Sequence, residues 1–125
     1  MSINPNFQLV PITPIKMLNE STKLLGLPKL QAQVILSLPN ILEFNEKLKE
    51  SINFSKDKIE CFIITSSSKN EIEELAQKYE LNKSYISNDF TSFAKTFNLK
   101  DEKNNLVRSI MMINKDCQII HKEIL

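Results

Sequence analysis

Apolar and polar positions change period several times along the chain, and each change marks an element. Residues 31–38 (QAQVILSL) end in Val34, Ile35, Leu36 and Leu38, a run that is apolar on both faces, as a central strand covered from both sides requires. After Pro39 the period lengthens. Ile41, Phe44 (or Asn45), Leu48 and Ile52 fall three or four apart with Glu43, Glu46, Lys47, Lys49 and Glu50 between them, which predicts an amphipathic helix with Asn40 as its cap. Residues 58–65 (KIECFIIT) read as a second strand. Ser66, Ser67 and Ser68 form a loop that can cap the following helix, 69–80, with Ile72, Leu75, Ala76 and Tyr79 on one stripe. Residues 84–87 predict a short strand, and Phe90, Phe93, Ala94 and Phe97 the inner face of a compact helix. Two last apolar runs, 107–113 and 118–124, flank the turn formers Asn114-Lys115-Asp116-Cys117 and read as a β-hairpin.

The start of the chain is less regular. Residues 7–10 make a short extended piece, and Pro11 and Pro14 fix φ and withhold donors, which places this opening on an edge or in a loop. The stretch 15–28, with Leu24, Leu25 and Leu27 around Gly26, reads as irregular, an edge strand being the alternative. Strands separated by helices need crossover connections and pair in parallel, whereas a terminal hairpin is antiparallel. The fold class expected is therefore α/β, a three-layer sandwich with a mixed central sheet and helices on both faces. A β-α-β-α-[α]-β-β order is the thioredoxin-like arrangement.

Composition narrows the chemistry. A length of 125 residues and 42% apolar content suit one domain, residues 1–125, with one sizeable core. Sixteen basic against fifteen acidic residues leave a net charge of +1, no field for steering onto nucleic acid or an anionic membrane. The first ten residues lack a cationic and apolar leader pattern, and no window approaches a membrane span, so a soluble, cytoplasmic protein is expected. A single glycine, Gly26, rules out glycine-rich phosphate loops. Two cysteines, Cys61 and Cys117, stand too far apart for a local metal clip, and the one histidine, His121, reads as a strand side chain with no chemical task. No cofactor or metal is implied.

In order, PNFQLV, VILSLP, ILEFNEKL, SNDF, FAKTFNL and LVRSIMMINKDCQIIHKEIL resemble the successive motifs of the peroxiredoxin superfamily, in particular its thiol peroxidase branch. The last segment matches best, against a family pattern L-A-R-S-x-x-V-x-D-x-x-G-x-[IV]. That resemblance implies a peroxidatic cysteine at the first turn of a helix, where its thiolate is stabilised, delivered by P-x-x-x-[TS]-x-x-C. The chain departs from the pattern there. Counting from Pro39, the Thr and Cys positions hold Glu43 and Glu46, counting from Pro28 they hold Ala32 and Ile35, and no cysteine precedes Cys61. The spacing implies that the active-site loop and first helical turn are deleted. A carboxylate has no two-electron sulfur chemistry with which to reduce a peroxide.

Arg108, the only arginine, falls on the L-x-R-S position whose guanidinium, in the family, orients thiolate and peroxide. Its two readings are a structural ion pair at the sheet edge and retained anion or ligand binding. Pro39 and Thr65 complete the relic pocket that the resemblance implies. Cys61 reads as a small hydrophobe in its strand. Cys117 takes the turn position where the family has Gly, and is expected to be exposed and strained. The resolving cysteine, due near 79–81 after LAQK, has no counterpart, and the two thiols are expected on opposite sides of the core, too far apart for a disulfide.

The family continues past its last strand into a C-terminal helix, which this sequence is expected to lack, leaving a sheet face for a second copy or another protein to cover, or for residues 15–30 to fold over. The resulting expectation is a degenerate thiol-peroxidase-like protein, a non-catalytic binding or assembly module. The alternative is a redox enzyme or sensor that uses Cys61 or Cys117 through intermolecular disulfides.

Overall fold

The computed structural model describes residues 8–27, 31–55 and 57–125. In chain order its strands are β1 (Gln8–Leu9), β2 (Thr13–Lys16), β3 (Thr22–Leu25), β4 (Ala32–Leu38), β5 (Ile59–Thr65), β6 (Ile86–Ser87), β7 (Ser109–Ile113) and β8 (Gln118–Ile124). Its helices are α1 (Glu46–Ser55), α2 (Lys69–Tyr79) and α3 (Thr91–Thr96). Six strands form a mixed sheet in the order β1-β8-β7-β4-β5-β6. The β4, β5 and β6 strands run parallel, joined by helical crossovers, while β7 lies antiparallel to β4, β8 to β7 and β1 to β8. The central position expected for β4 follows from its composition: Ile35, Leu36 and Leu38 are all buried, with side chains on both faces.

One face carries Ile35, Phe62, Ile64, Met111 and Ile113, none more than 4% exposed, under Phe93, Ala94 and Phe97 of α3 and the β2–β3 hairpin. The other carries Leu36, Leu38, Ile63 and Ile86 under α1 and α2, with Ile72, Leu75 and Ala76 as the inner stripe of α2. Helices thus lie on both sides, as the periodicity predicts. On this second face burial is uneven. By strand alternation Val34, Cys61 and Met112 share it with Leu36 and Ile63, and all three are only half-buried.

Several expectations need correction. The helix read over 41–52 is two pieces: a 3-10 turn, Ile41–Glu43, capped by the Asn40 side chain, then an extended Phe44, then α1. Asn45 restarts the helix, its side chain accepting the Leu48 N–H at 3.0 Å. The extended backbone lets Phe44, 2% exposed, reach the ring of Tyr79 edge-on at 5.2 Å. The stretch 15–28, read as irregular with an edge strand as the alternative, instead holds most of the β2–β3 hairpin, Thr13 to Lys16 pairing with Leu25 to Thr22 in a separate two-stranded sheet. Its alternation survives Pro14 because that proline points outward, while Thr13 and Ile15 are each 3% exposed. Gly26 sits at φ 93°, where a Cβ would come within 2.7 Å of the Pro11 carbonyl oxygen. Phe7, Pro28 and Leu30, which belong to the segments read above, lie outside the described residues.

Cys117 corrects a third expectation. Its φ of 62° is the left-handed corner foreseen for that position, but the residue is buried, 8% exposed, in the core cluster. The turn is covered because the chain after β1 runs alongside it, the Val10 N–H donating to the Cys117 carbonyl at 2.8 Å. Asn114 closes the same turn, its side-chain oxygen accepting from the N–H groups of Asp116 and Gln118, each at 3.0 Å.

Candidate functional site

At the ends of β4 and β5 the two strand-to-helix corners are laced together by short polar side chains. The Pro39 carbonyl accepts from the Ser66 hydroxyl at 2.7 Å and lies 3.5 Å from Thr65 Oγ1. Thr65, fully buried, accepts in turn from the Ser67 N–H at 3.2 Å, and the Ser67 hydroxyl accepts the Ile41 N–H at 2.9 Å. Ser68 then caps α2 through a reciprocal box with Glu71. The serine run read as a loop is therefore also the fastener between two corners. Pro39 and Thr65, which the resemblance groups, stand side by side.

Arg108 approaches from the third strand. Ser37 and Ser109, register partners on β4 and β7, bring their hydroxyls to 2.5 Å, and Ser37 donates onward to the Val107 carbonyl at 2.8 Å. This buried pair fixes the start of β7 against the end of β4. Arg108 then projects half-exposed toward the 3-10 turn, where its Nε meets Glu43 Oε2 at 2.5 Å. That oxygen is sealed from water and accepts no hydrogen bond of good geometry, so its contact with the guanidinium is an ion pair. The Glu43 carboxylate, by its close contact and then by its charge, holds the guanidinium above its usual pKa.

The two sulfur atoms stand elsewhere. Cys61 is four residues upstream of Thr65 on β5, about 13 Å along an extended strand. Burial pushes its thiol up to about 11, so it is neutral and a poor nucleophile at physiological pH. Cys117 follows the far end of β7 from Arg108. Neither is in a disulfide. The first residue of α1 is Glu46, the residue at the cysteine spacing from Pro39. Among the described residues no group of three or more His, Cys, Asp or Glu side chains is placed to hold a metal ion.

Glu43 is the residue that sequence reasoning left without a partner. The signal was present: an acid at the Thr spacing after Pro39, and the lone arginine at a position that the resemblance brings to the same pocket. The ion-pair reading of Arg108 fits the geometry, although β7 is an inner strand rather than a sheet edge and the acid comes from the turn after β4.

No family model matches the chain, and no curated protein matches it in sequence. Solved structures do match. The peroxiredoxin-like protein from Aquifex aeolicus superposes with a TM-score of 0.78 over 95% of this chain and 75% of its own, at 13% identity. The thiol peroxidase from Chromobacterium violaceum superposes with a TM-score of 0.73 over 99% and 78%, again at 13% identity. A thiol:disulfide interchange protein of the thioredoxin family, from Chlorobium tepidum TLS, gives 0.72 over 97% and 88% at 6% identity. Peroxiredoxins and thiol peroxidases predominate among these structural neighbours, and the chain has their thioredoxin-like α/β fold.

Proposed function

We propose that this chain is a non-catalytic relative of the thiol peroxidases, one domain over residues 1–125 that works in the cytoplasm as a binding or assembly module. The observation that carries the reading is the Arg108–Glu43 pair. A guanidinium that is to polarise a peroxide must face the pocket unneutralised, and here its charge is paired through Nε with a carboxylate of the same chain, the Nη donors staying outside that contact. Two further observations support it: the helix start after β4 carries Glu46 rather than a thiol, and the Cys61 thiol has its pKa raised where a peroxidatic sulfur needs it lowered. Pro39, Thr65 and Arg108 are then relics of a pocket whose present work is to bind the corners together.

Hydrogen peroxide consumption, measured with a thioredoxin-type reductant, tests this directly. The wild-type chain and its Cys61→Ser and Cys117→Ser variants should all match the protein-free blank. Turnover that disappears in one variant would instead establish the rival reading, a redox enzyme or sensor working through intermolecular disulfides. A shift to dimer on a non-reducing gel after mild oxidation would point the same way.

The assembly part of the reading rests on the second sheet face, where Val34 and Met112 are half-buried and Ile120, on the neighbouring β8, is 41% exposed. A second copy or a protein partner over that end of the sheet would remove apolar area from water at roughly 25 cal/mol per Å². Among the described residues no helix is long and apolar enough to cross a membrane. Light scattering at micromolar concentration should give a mass above that of the monomer, and a sharp monomer peak would count against self-assembly.

A further inference from the structure

The end of the sheet away from Arg108 holds a cavity of about 360 Å³, a size ordinarily found in small-molecule sites. It opens between α1, the first half of β5 and the link from α2 to β6. Its apolar lining is Ile52, Ile59, Ile63, Leu81 and Ile86, with the Cys61 thiol among them. We propose that this cavity binds a small neutral molecule with an apolar, aromatic-sized body and a single hydrogen-bond donor such as a ring N–H or hydroxyl.

The choice of ligand class follows from what surrounds the space. Five aliphatic side chains favour an apolar body and gain most by excluding water. The polar rim is rich in acceptors: the C-terminal ends of both α1 and α2 come to this cavity, and such ends carry partial negative charge on their carbonyls. Glu80, in the left-handed cap of α2, and Glu60 each add a carboxylate, while the amides of Gln31, Asn53 and Asn82 and the Tyr85 side chain both accept and donate. Among the described residues Lys49 is the one basic side chain in the lining, and one of its ammonium donors is held by the Tyr79 carbonyl at the end of α2. An anion would therefore meet two carboxylates against a single ammonium. A permanent cation would lose its water beside isoleucines, in surroundings that also keep the Cys61 sulfur protonated. A neutral donor satisfies both constraints. The site is independent of the Arg108–Glu43 pair, which lies at the opposite end of β5.

Indole is a suitable probe, with indole-3-carboxylate as its anionic counterpart. In a titration of the methyl-labelled full chain, indole at millimolar concentration should move the Ile52, Ile59, Ile63 and Ile86 methyl signals saturably and leave Ile35 and Ile113, on the other face, in place. The carboxylate should bind at least tenfold more weakly. Indole should also slow alkylation of Cys61 by iodoacetamide at mildly alkaline pH. Cys61→Phe, which fills the cavity, should abolish the shifts; if that variant does not fold, the alkylation rate of the wild-type chain decides. Shifts that fail to saturate, equal or tighter binding of the carboxylate, unchanged binding in folded Cys61→Phe, or alkylation indifferent to indole would each overturn the proposal.

Discussion

The two faces of the central sheet differ in how completely they are closed. Under α3 and the β2–β3 hairpin, neighbouring strands contribute Ile35, Met111 and Ile113, each at most 1% exposed. One residue away on the same strands, Val34 and Met112 turn to the other face and are half-buried, because the residues packed under α1 and α2, Leu36, Leu38, Ile63 and Ile86, lie toward the opposite end of that face. Adjacent residues of one strand therefore serve different purposes. The sealed face holds the fold, and the half-open one has area to offer a ligand or a partner.

Substitution of the two methionines should expose that difference most strongly. Met111→Ala, in the sealed layer, is expected to cost about 3 kcal/mol of unfolding free energy in a denaturant titration, and Met112→Ala only about 1 kcal/mol. Equal costs would mean that the second face is as tightly packed as the first. Next in size is a pH effect at Cys61. Its thiol is raised from an ordinary 9.0 to about 11, so the folded chain keeps a proton that the unfolded chain has released. Stability from this group is complete below pH 9 and is lost as pH rises toward 11, by about 3 kcal/mol in all. Measured against Cys61→Ala, which cannot titrate, the wild-type advantage should shrink over that interval; a constant difference would show that the thiol is already wet.

Smaller effects belong to the corners that join the faces. Ser68→Ala removes the hydroxyl half of the capping box, leaving the backbone N–H of residue 68 on the Glu71 carboxylate, and should destabilise by about 1 kcal/mol. Glu43→Gln should have the mildest effect, a slight fall in melting temperature, since the half-exposed guanidinium it releases can turn to water. Peroxide consumption should stay at the blank in that variant. Activity appearing on removal of the carboxylate would mean that Glu43 masks a working site.

Much of the layer order was legible because strand and helix periods are distinct. The double-sided run before Pro39, the Ile72–Leu75–Ala76–Tyr79 stripe and the phenylalanines of α3 each point to one element only. The β2–β3 hairpin was hidden by Pro14 and Gly26, which usually interrupt strands; Thr13 and Ile15 still alternate with outward residues and carried the missing signal. Burial of Cys117 was illegible for another reason: a turn is exposed until another segment crosses it, and the pairing of β1 with β8 is a long-range fact. At the candidate site, Pro39, Thr65 and Arg108 were legible through the resemblance, whereas the Glu43 partnership depends on the break at Phe44 that ends the 3-10 turn and aims the carboxylate at β7.

Only one glycine serves the whole chain, yet Glu20, Glu80, Asn98, Asn104 and Cys117 also adopt left-handed backbone, at φ between 54° and 73°. Bends that other sequences leave to their loosest residue are made here by residues with Cβ atoms, which restrict the denatured coil as well as straining the native bend. Glycine placed at the exposed Glu20, Glu80, Asn98 or Asn104 would relax the bend while enlarging the disorder surrendered on folding, so the gain should fall short of the strain relieved. At Cys117 the same replacement would also empty a place in the core, and stability should fall.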